Sequence, residues 1–254
     1  MDLIDAQAAL DEARAGRLND AQVKWLAEAC HGDPRGQAVP YEVAKWADLW
    51  PGDGGSITRG ALLDMGAAPA IDIFTASYLF GMGERGYGRS RYDRIRAAAP
   101  ELGETLERVR EIGRCQGPVF AYAQLYGGPD YDHRRRPGTP PWSRIASYGP
   151  AFFTKFLYFT VPGALILDAR LAARVARLTG NDHGYLRNGR PVAWTPYRYA
   201  VYLHWMNQAA ADVAVSPDLL ELTLFNLAVA DLPPRTGTTT PAPTDPEDDG
   251  DAAD

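Results

Sequence analysis

Apolar residues recur along this chain every three or four positions, the repeat of one helix face, and show no convincing run at the alternating spacing of a strand. Leu3, Ile4, Ala8 and Leu10 predict a helix over 3–15 that Gly16 ends, and Val23, Leu26 and Ala27 predict a second over 20–30. Short helices are expected at 41–49 and 58–65, separated by the breaker WPGDGGS. The run at 72–80 is so apolar that periodicity leaves a core helix and a strand both open. Beyond the glycine-rich turn GMGERGYG, helices are expected at 90–99, at 101–115 on a stripe of Leu102, Leu106, Val109 and Ile112, and at 119–125. The stretch 126–141, YGGPDYDHRRRPGTPP, is loop by composition.

The last third continues the helical pattern. Residues 142–174 read as a short helix, a Gly149–Pro150 hairpin, a phenylalanine-rich helix, a Pro162–Gly163 loop, and Asp168 opening a further helix. That helix runs to 179 with Leu171, Val175 and Leu178 as its buried stripe. A helix over 195–213 starts with Pro196 in its first turn, and one over 216–228 starts Ser-Pro-Asp, where Ser216 can cap and Glu221 lies just beyond the capping-box position. The expected organisation is an N-terminal helical segment over 1–70 packing on a helical core of 71–231, followed by a tail over 232–254.

Charge changes this picture only once it is divided along the chain. The formal net charge is −6, but the tail alone contributes −5, from Arg235 against six acidic residues. With its prolines and threonines and almost no apolar residues, that tail is expected to stay disordered. The rest is near neutral, so any anion-binding face must come from local patches. Arg85, Arg89, Arg91, Arg94 and Arg96 form one, and Arg134, Arg135 and Arg136 a second. Each patch is open to two readings, phosphate contact or an ordinary solvated helix face. No apolar run approaches the roughly 20 residues of a membrane span, and the N-terminus lacks a signal-peptide pattern. A cytoplasmic location without membrane contact is therefore expected. Cys30 and Cys115 give no disulfide framework, and His31, His133, His183 and His204 have no metal-ligand spacing, so no metal site is expected.

The hairpin carries the most chemistry. Ser147-Tyr148-Gly149-Pro150-Ala151 supplies a tight glycine turn at a helix start, where unpaired amides and helix partial charge favour an anion. Asp168, directly before Ala-Arg-Leu-Ala-Ala-Arg, reads equally as a plain helix cap, worth about 0.5–2 kcal/mol, and as a carboxylate placed to stabilise positive charge or move a proton. GMGERGYG lacks the Lys-Ser/Thr of a phosphate loop and any βαβ context, so it is no nucleotide fingerprint.

The segments FGMGERGYGRSRY (80–92), SYGPAFFTKFLYF (147–159), LILDARLA (165–172) and PDLLELTLF (217–225) together resemble a bacterial family of 8-oxoguanine DNA glycosylase OGG-fold proteins. The resemblance covers about 70–228. It implies an all-α, two-lobed helical bundle of the helix-hairpin-helix DNA glycosylase type, which flips a base out of duplex DNA and cuts it from its sugar. It assigns Asp168 to catalysis and Gly149, Pro150 and Ala151 to the DNA backbone, with Arg85, Arg89 and Arg135 towards phosphate. Tyr87 and Tyr92 become base-pocket candidates, with core packing as the alternative for each. A monomer acting on double-stranded DNA at the nucleoid follows, with no organic cofactor and a monovalent cation held by hairpin carbonyls.

Lys155 is the family's other candidate, an amine that would attack the sugar and form a Schiff base. The usual lysine slot after the hairpin here holds Ala151, and Lys155 lies one turn further on. A lysine snorkelling from an apolar helix is the alternative. Two other functional classes remain: a noncatalytic DNA-binding relative, and a helical protein-interaction domain with an acidic tail.

Overall fold

The computed structural model describes residues 5–52, 54–127, 145–181, 184–192, 194–233 and 235. The triple arginine 134–136, most of the 126–141 loop, the start of the helix expected at 142, and nearly all of the tail fall outside them. The described helices are α1 (Ala6–Ala15), α2 (Asp20–Ala29), α3 (Val43–Trp46), α4 (Arg59–Asp64), α5 (Ala70–Met82), α6 (Gly88–Ala98), α7 (Leu102–Gln116), α8 (Pro118–Tyr126), α9 (Pro150–Thr160), α10 (Ala169–Thr179), α11 (Pro196–Val213) and α12 (Pro217–Asn226). Two antiparallel ribbons join them: β1 (Ala38–Pro40) with β2 (Ser56–Thr58), and β3 (Leu186–Arg187) with β4 (Arg190–Pro191). The all-α expectation holds, and strands of two or three residues are too short to show alternation. The ambiguous run at 72–80 is helix α5, apolar all round because ten of its residues are buried. No described helix is long and apolar enough to cross a membrane.

The chain forms two compact units, and their boundaries differ from the expected division at residue 70. Among the described residues, one unit takes those up to Gly32 and those from Leu165 onward; the other takes those from Asp33 to Ala164. The reason is long-range packing. Helices α1 and α2 pack on α11, while α4 and β2 pack on α5.

In the first unit, the Trp205 indole N–H donates to the Gly16 carbonyl at 2.9 Å, and Arg17 pairs with Asp212 at 2.7 Å. Glu12 of α1 accepts from Arg198 at 2.5 Å, from the Tyr197 hydroxyl at 2.9 Å and from Asn181 at 3.1 Å. Gln22 is fully buried on α2. It closes a capping box with Asn19 and donates to the carbonyls of Leu178 at 3.1 Å and Pro233 at 3.2 Å.

In the second unit, α5 packs against α7 and α9. Pro69 gives α5 no side-chain cap, and Glu107 of α7 takes the Ala70 amide instead, at 2.7 Å. Trp46, Phe74, Tyr78, Tyr92, Tyr148 and Phe152 pack as one aromatic cluster, with centroid separations of 4.8–6.1 Å.

Gln22 tests whether the N-terminal helices belong to the first unit's core. Gln22→Ala removes both long-range donors, and its expected cost is about 1–3 kcal/mol, read as a lower urea midpoint. An unchanged midpoint would place α2 outside the cooperative fold.

Candidate active site

The approach to α9 is a tight turn. The Tyr148 N–H donates to the Ile145 carbonyl at 3.1 Å, and Ser147 takes a left-handed φ of 65°. Gly149 is extended, Pro150 occupies the first helical position, and the N–H groups of Phe152 and Phe153 both turn to the Gly149 carbonyl. Pro150 suits that place because its missing N–H has no intrahelical partner to lose. Residues 145–149 are not helical, so no described helix precedes the hairpin. Arg91 of α6, only 8% exposed, donates to the Ser147 carbonyl at 2.9 Å and lies 4.8 Å from the Phe152 ring centre. That carbonyl already faces a cation, so it does not fit the hairpin ion implied by the resemblance. Tyr148 packs edge-on against Phe74 and Phe153; its buried hydroxyl has no hydrogen-bond partner among the described residues, and burial raises its pKa well above the phenol range.

Lys155 lies one turn into α9 and is 9% exposed. Its Nζ donates back to the Ala151 carbonyl at 3.1 Å and lies 5.9 Å from the Phe152 ring centre. The stem crosses α5 at Gly81, where an added Cβ would come within 2.7 Å of the lysine Cδ. The amine therefore folds towards its own helix start, the direction in which helical side chains naturally lean.

After α9 the chain turns at Pro162–Gly163, with Gly163 at φ 77°, and runs without regular secondary structure through Leu165, Ile166 and Leu167 to Asp168. Asp168 is the N-cap of α10: its Oδ1 accepts from the Leu171 N–H at 3.1 Å, and its main-chain carbonyl from Ala172 at 2.8 Å. The side chain is half-buried. The segment before it is held by side chains. Tyr199 of α11 accepts from the Leu165 N–H at 3.3 Å and donates to the Leu165 carbonyl at 2.9 Å. Tyr202 donates to the Ile166 carbonyl, and Glu221 of α12 accepts from the Ile166 N–H at 2.8 Å.

Sequence reasoning missed this set. From the sequence, Tyr199 is one of the spaced residues of the 195–213 helix and, with Trp194 and Tyr197, an aromatic at its entrance near the presumed cleft, while Glu221 is an offset capping residue. The available signal was an acid inside the apolar run LLELTLF.

The glycine-rich loop and α6 divide their candidates. Tyr87 is 40% exposed and Arg85 half-buried. Arg89 is committed internally: it grips Asp48 through two nitrogens at 2.6 and 2.9 Å, pairs with Asp93 at 3.1 Å, and donates to the Lys45 carbonyl at 2.8 Å. Its hydrogen bond to Asp48 is the main reason its pKa rises and that of Asp48 falls. A phosphate would have to displace two carboxylates. Tyr92 is 2% exposed, stacked on Phe74 with its hydroxyl 2.8 Å from Thr75 Oγ1, so in this structure it fills the core rather than lining a base pocket. Arg135 lies outside the described residues. Lys155, the hairpin, Arg85, Tyr87, Arg89 and Tyr92 all belong to the second unit, and Asp168 to the first. No group of three or more His, Cys, Asp or Glu suited to a metal occurs among the described residues.

Comparison with known proteins gives one match. The family model described as "Putative 8-oxoguanine DNA glycosylase OGG-like protein" matches residues 32–225. No curated protein and no solved structure matches the chain. The matched range takes in α9, α10, α11 and nearly all of α12, and with them Lys155, Asp168, Tyr199, Tyr202 and Glu221. The chain belongs to the 8-oxoguanine DNA glycosylase OGG-like family.

Proposed function

We propose that this protein is a DNA glycosylase that binds double-stranded DNA as a monomer, flips out a damaged base with 8-oxoguanine as the first candidate, and cuts its N-glycosidic bond with Asp168 as the catalytic carboxylate. The observation that carries the reading is the half-buried Asp168 side chain at the start of α10, reached through a segment held on both sides by side chains. Cleaving this bond leaves positive charge on the sugar, and a fixed carboxylate stabilises that charge. The C1′–N bond breaks with its electron pair leaving on the base, and a water oxygen bonds to C1′. The water proton passes to Asp168 and on to solvent, while the base takes one up.

The start of α9 supplies the backbone contact in this reading. Helix partial charge and the amide N–H groups of Gly149 and Ala151, on either side of Pro150, suit a phosphate, and Arg85 is the candidate side-chain cation. Lys155 supports the hydrolytic route over the amine route, because its Nζ is turned to the Ala151 carbonyl and the side chain is 9% exposed.

Asp168→Asn separates chemistry from capping, since Asn caps a helix about as well as Asp. Base release from duplexes carrying 8-oxoguanine is expected to fall about 10²–10⁴-fold, with stability and duplex affinity retained. Tight duplex binding by the wild type with no release across a panel of modified bases would favour the noncatalytic relative. Borohydride trapping checks the route: hydrolysis yields no covalent adduct, and a Lys155-dependent adduct would overturn it. Arg85→Ala is expected to weaken duplex binding and to reduce the salt slope of log K by about one; an unchanged slope removes Arg85 from the interface.

A further inference from the structure

We infer that Tyr202, with Tyr199 and Glu221, is a positioning set for Asp168, fixing the backbone from which the carboxylate projects. The inference rests on the catalytic assignment of Asp168 and adds three residues that act through it.

Leu165, Ile166 and Leu167 are 5%, 3% and 0% exposed, lie in no helix, and pair with no strand among the described residues. A buried backbone outside helix and sheet must find partners for its N–H and C=O groups elsewhere. Here all four such groups of Leu165 and Ile166 are met by three side chains from two helices. Tyr199 and Tyr202 are three residues apart on α11, so both rings come off one face and stack at 6.2 Å. Glu221 reaches in from α12, and its side chain is 1% exposed.

This is a costly way to fill a core, because each polar group gives up water. Apolar side chains could seal the same volume, but they could not pin the direction of the peptides leading into Asp168. Positioning matters here because a displacement of about 1 Å in a catalytic group costs about 10²-fold in rate. The donors are also insensitive to pH. Burial first, then the charges of Glu221 and Asp168 among others, keeps the Tyr202 hydroxyl protonated well above the usual phenol range. Burial does the same for Tyr199, opposed in part by its bond to Leu165.

Two contacts between α10 and the end of α12 keep the set in register. Arg174 of α10 donates to the Leu227 carbonyl at 2.6 and 2.9 Å, just past the end of α12. Arg170 lies 5.1 Å from the Phe225 ring centre. Helix α12 is thereby tied to the helix that Asp168 caps, and Glu221 is carried with it.

The test uses the full chain with Tyr202→Phe, Glu221→Leu and Glu221→Gln. The first readout is amide hydrogen exchange at Leu171, whose N–H donates to Asp168, with Val175 in the middle of α10 as internal control. Tyr202→Phe and Glu221→Leu are expected to speed exchange at Leu171 about tenfold relative to Val175. Glu221→Gln should restore the wild-type ratio, because its amide oxygen can still accept from Ile166. The second readout is single-turnover base release from 8-oxoguanine duplexes. It should fall about 10–100-fold in the first two variants, with duplex Kd held within about twofold. Tyr202→Phe removes a single oxygen and decides the matter alone if Glu221→Leu does not fold. Equal acceleration at Leu171 and Val175, or release that falls only with the folded fraction, would overturn the inference and leave the three residues a purely structural role. If wild type releases no base from any duplex, the glycosylase reading fails, and the exchange ratio still decides whether the set positions Asp168.

Discussion

The stretch from Leu165 to Leu167 lies buried in the first unit outside any helix and beside no described strand, and the hydrogen bonds its backbone needs govern how that unit is built. A helix meets its own backbone needs, so helical proteins rarely spend core side chains on main chain. Here α11 and α12 must present hydroxyls and a carboxylate inward at fixed heights. Helix α11 is in turn held by α1 and the turn after it, through Trp205, Arg198 and Asp212, and packs on α2 as well. The N-terminal helices therefore belong physically to the unit that carries Asp168, although both lie wholly outside the family match at 32–225.

In the second unit, aromatic packing fills the role that hydrogen bonds have in the first. Tyr148, Phe152 and Phe153 lead α9 into a cluster shared with α5 and α6, and Arg91 ties the turn before α9 to the same place. The start of α9 is thus held by packing on its inner side, and under the glycosylase reading this pre-organises it for a backbone contact. Tyr148 is the polar exception in the cluster, its hydroxyl buried with no hydrogen-bond partner among the described residues. Lys155 meets the same apolar surroundings by a different route, turning its amine back to a carbonyl one helical turn away.

What was legible in the sequence was local. Asp168 and Ser216 both cap the helices they precede, and Pro150, Pro196 and Pro217 all occupy first turns, because these preferences depend on residues within three or four positions. The boundaries near 32 and 164 were not legible, since they rest on α1 and α2 packing against a helix nearly two hundred residues later. Tyr92 reads as a base-pocket candidate or a core residue and Arg89 as a phosphate contact or a solvated face, and only their partners at Thr75 and Asp48 show the core place of the first and the ion pairing of the second. Tyr199, Tyr202 and Glu221 bond to residues 34, 36 and 55 positions away, a separation that no periodicity encodes.

The arginines alter the electrostatic reading most. Counted along the chain, 85–96 is a five-arginine patch, yet Arg91 is buried on the Ser147 carbonyl and Arg89 is bound by two acids, whereas Arg94 and Arg96 are exposed. A nucleic-acid face built from the described part of this chain thus has fewer mobile cations than its sequence suggests. Counterion release scales with the number of phosphates neutralised, so nonspecific affinity should be modest and its salt dependence shallow. Under the glycosylase reading, that shifts the burden of substrate choice to the flipped base and to the fixed amides at the start of α9. A carboxylate whose place is set by buried hydrogen bonds suits such an enzyme, because little of its selectivity can come from holding the duplex tightly.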